Sequence, residues 1–470
     1  MRALSLVIGV LLATPAGAES PLTWSDGDHQ VKVRLESRLR FEGWDARAGN
    51  TDWFHALRSR VGVTYSWRKT VSALFEFQDA RIHGLDSDSS GAAAAYRGAS
   101  GMDSHAASDR IRQLWIELRP VEDLRLRVGR QDIELGTEVM YPEPNWKYLK
   151  VARGSQRLVG TVGWTHVERS NDGGSASYDL GGHHLYLFGA RPTTGVFDFD
   201  HAYDDQEDIQ YGGLTWTVRR GEWVPNTELR FFGIGYRDDR KIPDPALAGP
   251  TTGNVDVYTV GFSSIGIYPL GPGNADLLIW GAYQWGDWQS SLDHQAWAAL
   301  LEGGYQWPSV ATKPWLRAGI NAASGDGSAT DGDHESFFNL LPTNHLYYGF
   351  ADQLALANLL DYFVQLKLAP TPKTSVNAFL HHMYLLTDDD GRHFGTGAFN
   401  KTTFGYGFQP QASTSGHRSL GTELDIVASY AIHPNVSIQA GYSYMWGHAF
   451  FNHLSDDDTR FAYFQVTARY

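Results

Sequence analysis

Cysteine is absent from all 470 residues, which removes disulfide scaffolds, thiolate metal centres and cysteine nucleophiles together. Long apolar runs are missing as well. After the first twenty positions no stretch approaches the roughly 18 apolar residues that a membrane-spanning helix requires. A basic excess is also lacking: the formal net charge is −14, which argues against a nucleic-acid binder and, at first sight, against any anionic partner. What the chain has instead is 50 glycines and 13% aromatic residues within a hydrophobic content of only 42%. That aromatic content excludes a disordered chain. It suits a β-rich protein, in which one domain of this length is common.

The first residues read as an address. Met1-Arg2 is a short positive segment, Ala3–Ala13 is apolar, and Pro15-Ala16-Gly17-Ala18 ends in a small-x-small pattern. These are the parts of a secretory signal peptide, expected over 1–18 and removed, leaving 19–470 as a single domain outside the cytoplasm.

The remaining chain alternates. Val31, Val33, Leu35, Leu39 and Phe41 fall on one face of a strand, and Lys32, Arg34, Glu36, Arg38, Arg40 and Glu42 on the other. The run is about twice the usual strand length for a soluble sandwich. It fits a tilted strand crossing an outer membrane, apolar toward lipid and polar toward water. Similar segments recur near 54–67, 71–80, 110–118, 124–131 and onward to 460–470, eighteen in all. The connections after even-numbered segments are short, as at Gly181-Gly182, and those after odd-numbered ones are mostly long, as at 131–173 and 323–359. Short turns at one end and long loops at the other predict a transmembrane antiparallel β-barrel of eighteen strands, with periplasmic turns and extracellular loops. The final segment alternates to the terminal Tyr470, as expected of a strand that pairs with the first and leaves no open edge.

Charge is unevenly placed. Residues 19–169 hold 22 Lys and Arg against 21 Asp and Glu, while residues 170–470 hold 16 against 32. The acids collect in loops, as at Asp388-Asp389-Asp390 and Asp456-Asp457-Asp458, and the first strands turn basic groups inward. Arg34, Arg38, Arg40, Arg58, Arg60 and Arg127 are therefore candidate lumen residues that would lower the barrier for a carboxylate. Arg130, at the entry to the long loop 131–173, is a further candidate for a lumen contact. The loop itself, with Trp146, Lys147, Lys150, Arg153 and Arg157, is the candidate constriction. An anionic cargo is thus compatible with a net negative chain.

Several runs resemble the alginate export family of outer-membrane barrels. They are Val128-Gly129-Arg130-Gln131, Arg157-Leu158-Val159-Gly160, Arg169-Ser170-Asn171-Asp172-Gly173 and Ala323-Ser324-Gly325-Asp326. The longest is Phe338-Asn339-Leu340-Leu341-Pro342-Thr343-Asn344-His345-Leu346-Tyr347-Tyr348-Gly349-Phe350-Ala351-Asp352, followed by Asn358-Leu359. The loop between Gln131 and Arg157 is longer than the family spacing. The resemblance implies an eighteen-stranded channel in a Gram-negative outer membrane, in contact with its lipid. It also implies diffusion of an alginate-like polyuronate or another anionic solute, and export-complex proteins as periplasmic partners.

Other readings stay open on the residues: a general or uptake porin for a different small substrate, or a non-conducting barrel acting as adhesin or as sheath for a partner protein. Catalysis has little to build on, since no Gly-x-Ser-x-Gly segment exists and no serine is singled out beside His345. No cofactor or metal site is expected. The acids of 326–335 do not follow an EF-hand spacing, and His183-His184 and His381-His382 point to opposite strand faces.

Overall fold

The alternation that begins at Val31 becomes β1, His29–Ala46, the first wall strand in a computed structural model of the chain. The structure describes residues 22–470 apart from 47–50, 90, 248–251, 290, 329, 346, 396–398, 400, 403, 405, 411–415 and 455–457. The expected signal peptide, Leu346 of the longest motif and the acids Asp456 and Asp457 lie outside the described residues.

Seventeen more wall strands follow: β2 Thr51–Trp67, β3 Val71–His83, β4 His105–Val121, β5 Leu124–Gln131, β6 Asn171–Leu180, β7 His183–Pro192, β8 Ile209–Val218 and β9 Thr227–Asp238. They continue as β10 Val255–Leu270, β11 Gly273–Trp288, β12 Leu292–Gln306, β13 Trp315–Ala323, β14 Leu359–Thr371, β15 Thr374–Tyr384, β16 Ser419–His433, β17 Val436–Gly447 and β18 Thr459–Arg469. Each pairs antiparallel with its neighbour, and β18 pairs with β1 from Glu36↔Arg469 to Ala46↔Thr459. The wall is closed. Tyr470 completes the seam, its N–H donating to the Leu35 carbonyl at 2.8 Å and its carbonyl accepting from the Leu35 N–H at 2.9 Å. Closure matters because lipid offers no partner for an open edge.

The two faces divide as a barrel in lipid requires. Outward positions carry Val61, Phe77, Leu114, Ile116, Leu118, Val128, Leu187, Leu214, Val260, Val364 and Phe464, all exposed. Inward positions of β1–β5 are rich in charge. Those of β10–β12 are not uniformly polar: Ile265, Leu278, Trp280 and Leu300 point inward and are buried. The reason is that the interior is filled. Segment 132–170 enters the barrel through a short helix, Pro144–Tyr148, that continues as a π-helical turn, Leu149–Gly154. Trp146, Leu149, Leu158 and Val159 of this segment join Phe337, Leu340, Leu341, Tyr347 and Tyr348 of a second insertion, 336–358, in one apolar cluster against that wall. No helix among the described residues is long and apolar enough to cross a membrane.

Candidate functional site

The two insertions meet inside the barrel, and their meeting point is built from the family-like motifs. Leu341 N–H donates to the Leu158 carbonyl and Gly160 N–H to the Leu341 carbonyl, both at 2.8 Å, while Thr343 N–H reaches the Gln156 carbonyl at 3.0 Å. A side chain at Gly160 would lie 2.5–2.7 Å from Gln156 and Thr343, so the crossing requires glycine. At the other end of the second insertion, the Ala351 N–H donates to Glu423 on β16 at 2.8 Å and that of Phe350 to Asp425 at 3.4 Å.

Arg38 and Arg40 on β1 hold the first insertion by its backbone. Arg38 donates to the carbonyls of Gly163 (2.9 Å), Trp164 (3.2 Å) and Thr165 (2.6 Å). Arg40 donates to the Trp164 carbonyl at 2.8 Å, pairs with Glu42, and lies 3.7 Å above the Trp164 ring. His345 stacks on Trp164 at 3.9 Å with the rings 14° apart, and Asp352 fixes its Nδ1 at 2.8 Å. The order guanidinium, indole, imidazole binds both insertions to the wall. Arg58 and Arg60 on β2 converge on one carboxylate of the insertion, Glu168, which Arg112 on β4 also contacts at 2.7 Å. Three guanidinium groups hold the Glu168 carboxyl well below the usual carboxylate range despite its burial.

Opposite this wall, the same insertion supplies the cations. Arg153 donates to Glu302 at 2.9 and 2.7 Å, Arg157 reaches Glu302 at 3.1 Å, and Arg317 of the wall joins them at 2.9 Å. Lys150 pairs with Glu228. The expected constriction loop is therefore fastened on both sides by buried ion pairs, whose partners are costly to remove singly.

The candidate residues fall into three groups. Arg38, Arg40, Arg58 and Arg60 face inward but are engaged by the insertion. Arg34 and Arg127 face inward on the short-turn side of it. Arg34 is exposed and makes no ion pair among the described residues, while Arg127 pairs with Glu117 at 2.6 Å and lies 4.0 Å over Trp115. Arg130 is elsewhere, which corrects its expected place in the lumen. Strand alternation persists through Gln131, so Arg130 shares the outward phase of Leu126 and Val128 and stands opposite exposed Leu114. There it bonds Asp172 at 2.8 Å.

Two residues central to this network were not among the candidates. Arg112 is the extra residue of a β-bulge: Glu76 pairs with Gln113 and Phe77 with Ile111, so Arg112 turns inward beside Gln113. Two polar residues between Ile111 and Leu114 are the only trace of this in the sequence. Glu168 lies in a long loop, where no periodicity marks a side chain that crosses the lumen.

Cavities open on the short-turn side among the described residues. One, of about 400 Å³, is lined by Gln156, Trp164, Asn377, Gln439, Gln465 and Arg38 among others, with no carboxylate among its described lining residues. Another, of about 300 Å³, is lined by Glu117, Asp132, Glu134 and Glu138 together with Arg125 and Arg127. Burial and the adjacent Asp132 push the Glu134 carboxyl up to about 7. Among the described residues no group of His, Asp and Glu could hold a metal ion.

A closed eighteen-stranded wall, apolar outside and charged within, with loops folded into its lumen, defines an outer-membrane channel of the porin type. Solved porins share the fold. OpdK of Pseudomonas aeruginosa, solved with vanillate, aligns with a TM-score of 0.59 at 10% identity, covering 93% of this chain and 99% of its own. OccK2 (OpdF) of the same organism, solved in complex with glucuronate, gives 0.57 at 11% identity, covering 94% of this chain and 97% of that one. OccAB1 of Acinetobacter baumannii gives 0.58 at 8% identity, covering 93% and 96%. No curated protein matches the sequence. The alginate export family model matches residues 27–463, and the chain belongs to that family, in a Gram-negative outer membrane.

Proposed function

We propose that this channel conducts anionic solutes by passive diffusion, a sugar acid or an alginate-like polyuronate being the class of cargo. The observation that carries the reading is an imbalance of pairing along the wall strands and the inserted helix. Inward carboxylates Glu36, Glu42, Glu76, Glu117, Glu228 and Glu302 each pair with an arginine or lysine. Asp361 is held by His381, and Glu423 and Asp425 accept backbone N–H groups of the second insertion. Lys32 and Arg34 on β1, Lys147 on the inserted helix and Lys367 on β14 have no carboxylate partner among the described residues. Cations without partners in a narrow polar passage favour entry of carboxylates, and their spacing over separate elements keeps any one contact weak.

The docked insertions favour the smaller cargo. The cavity of about 400 Å³, lined by Arg38 and neutral polar and aromatic groups, is the size of a single small-molecule site, not of a continuous polymer track. Two neighbours solved with small carboxylates, vanillate and glucuronate, agree with that reading. Passage of a polymer would need the insertions to undock.

Planar-bilayer recording tests the proposal. Wild-type channels should prefer chloride over potassium, and the combined variant Lys32→Ser, Arg34→Ser, Lys147→Ser, Lys367→Ser should lose that preference while still conducting. A cation-selective wild-type channel would refute the anionic reading, and a barrel that never conducts would refute the channel.

A further inference from the structure

The outward face carries a second polar feature, unconnected with the lumen. Across β5–β10, at the long-loop end, Arg130, Asp172, Arg191, Gln210, Arg237 and Asp256 stand on successive strands in one row. Exposed Val128, Leu187, Leu214 and Val260 lie on the membrane side of that row, so it marks the boundary where hydrocarbon gives way to headgroups of the outer leaflet. Beneath the row is a depression of about 540 Å³, lined by Asp172, Arg191, Arg237, Asp256 and Tyr258 among others.

The cations differ in how they are satisfied. Arg130 bonds Asp172 at 2.8 Å and reaches Asp205 at 3.4 Å; Arg237 bonds Asp239 at 2.9 Å and lies 3.9 Å from Asp256. Arg191 is exposed and its guanidinium makes no hydrogen bond or ion pair among the described residues, although Asp205 feels its charge. A guanidinium without a bonded side chain, standing where hydrocarbon gives way to headgroups, is placed to meet an anion, and phosphate is the anion its planar fork fits. The row holds three arginines, and Asp172 and Asp256 lie against the outer two, leaving Arg191 between them open.

We propose that this face binds a phosphate-bearing glycolipid of the outer leaflet. Arg191 takes a headgroup phosphate, flanked by Arg130 and Arg237, which Asp172 and Asp256 hold at the surface; an acyl chain occupies the depression below. The site is separate from the cargo reading and stands or falls without it.

Native mass spectrometry of the full barrel in detergent, titrated with purified outer-membrane glycolipid in the presence of magnesium, tests this. Wild-type protein should hold one glycolipid per chain. Arg191→Ser should weaken binding by roughly tenfold, the loss expected for one charge-assisted hydrogen bond, and the variant Arg130→Ser, Arg191→Ser, Arg237→Ser should abolish it. Arg81→Ser, on the rim away from the row, should bind as wild type. Heat-modifiable gel migration and an unaltered circular dichroism spectrum verify that each variant is a folded barrel. The proposal is overturned if wild-type protein takes up no glycolipid or if the triple variant binds it equally. It is overturned too if dephosphorylated glycolipid or phosphatidylglycerol binds as tightly, or if the face proves to join two copies of the chain in place of lipid.

Discussion

Replacing Glu168 by glutamine should release the first insertion from the wall without unfolding the barrel. The carboxylate is the shared acceptor of Arg58, Arg60 and Arg112, all buried or nearly so. Removing one partner of a buried ion pair costs about 3–5 kcal/mol. The low end applies here, because Arg58 keeps Glu36, and Arg112 keeps Glu76 at 3.1 Å and Asp132 at 2.8 Å. Arg60 loses most, retaining Gln78 at 2.6 Å and a 4.0 Å approach to Glu36. A penalty of about 3 kcal/mol shifts the docked–undocked equilibrium roughly 150-fold. The wall, closed by its own backbone ladder, is not held by this contact. Single-channel recording should show larger or more frequent openings in the variant, and hydrogen exchange should rise across 155–170 while wall strands stay protected. Unchanged conductance together with unchanged exchange in that segment would refute the idea that Glu168 fastens it.

Two further outcomes follow from local geometry and from titration. Gly129 has φ of +122°, and a Cβ there would collide with the Leu114 carbonyl oxygen and lie 2.9 Å from the Trp115 Cα, so Gly129→Ala should lower barrel stability by about 1–3 kcal/mol through strain. Urea-dependent folding into lipid vesicles measures it, and a neutral result would remove the steric account of the Val-Gly-Arg-Gln run. Glu134 titrates near 7 in the folded protein, above the ordinary 4.5 of an unfolded glutamate, so its contribution favours docking below about pH 4.5 and is lost as pH rises through 7. Thermal unfolding should therefore show a drop between about pH 5 and 7.5 that is smaller in Glu134→Gln; an identical drop would assign the pH dependence to other groups.

The sequence alone determined the wall. Alternation along each strand states which side chains meet lipid, because a strand in hydrocarbon has only two faces and only one can be apolar. The lengths of the connections stated which end carries turns and which carries loops. Eighteen segments and a terminal aromatic strand that pairs with the first are therefore readable residue by residue, and Arg34, Arg38, Arg40, Arg58, Arg60 and Arg127 were placed inward on that ground.

Tertiary structure decided what those residues touch. Arg38, Arg40, Arg58 and Arg60 hold an inserted loop, since Glu168 and the carbonyls of residues 163–165 reach them across more than a hundred residues of chain. No local period encodes such a contact. Arg112 turns inward only because a bulge breaks the alternation, and Arg130 turns outward because the strand continues one residue past it. Periodicity reports the face of a strand; the partner on that face is set by the path of loops, which burial and ion pairing fix only after the barrel has closed.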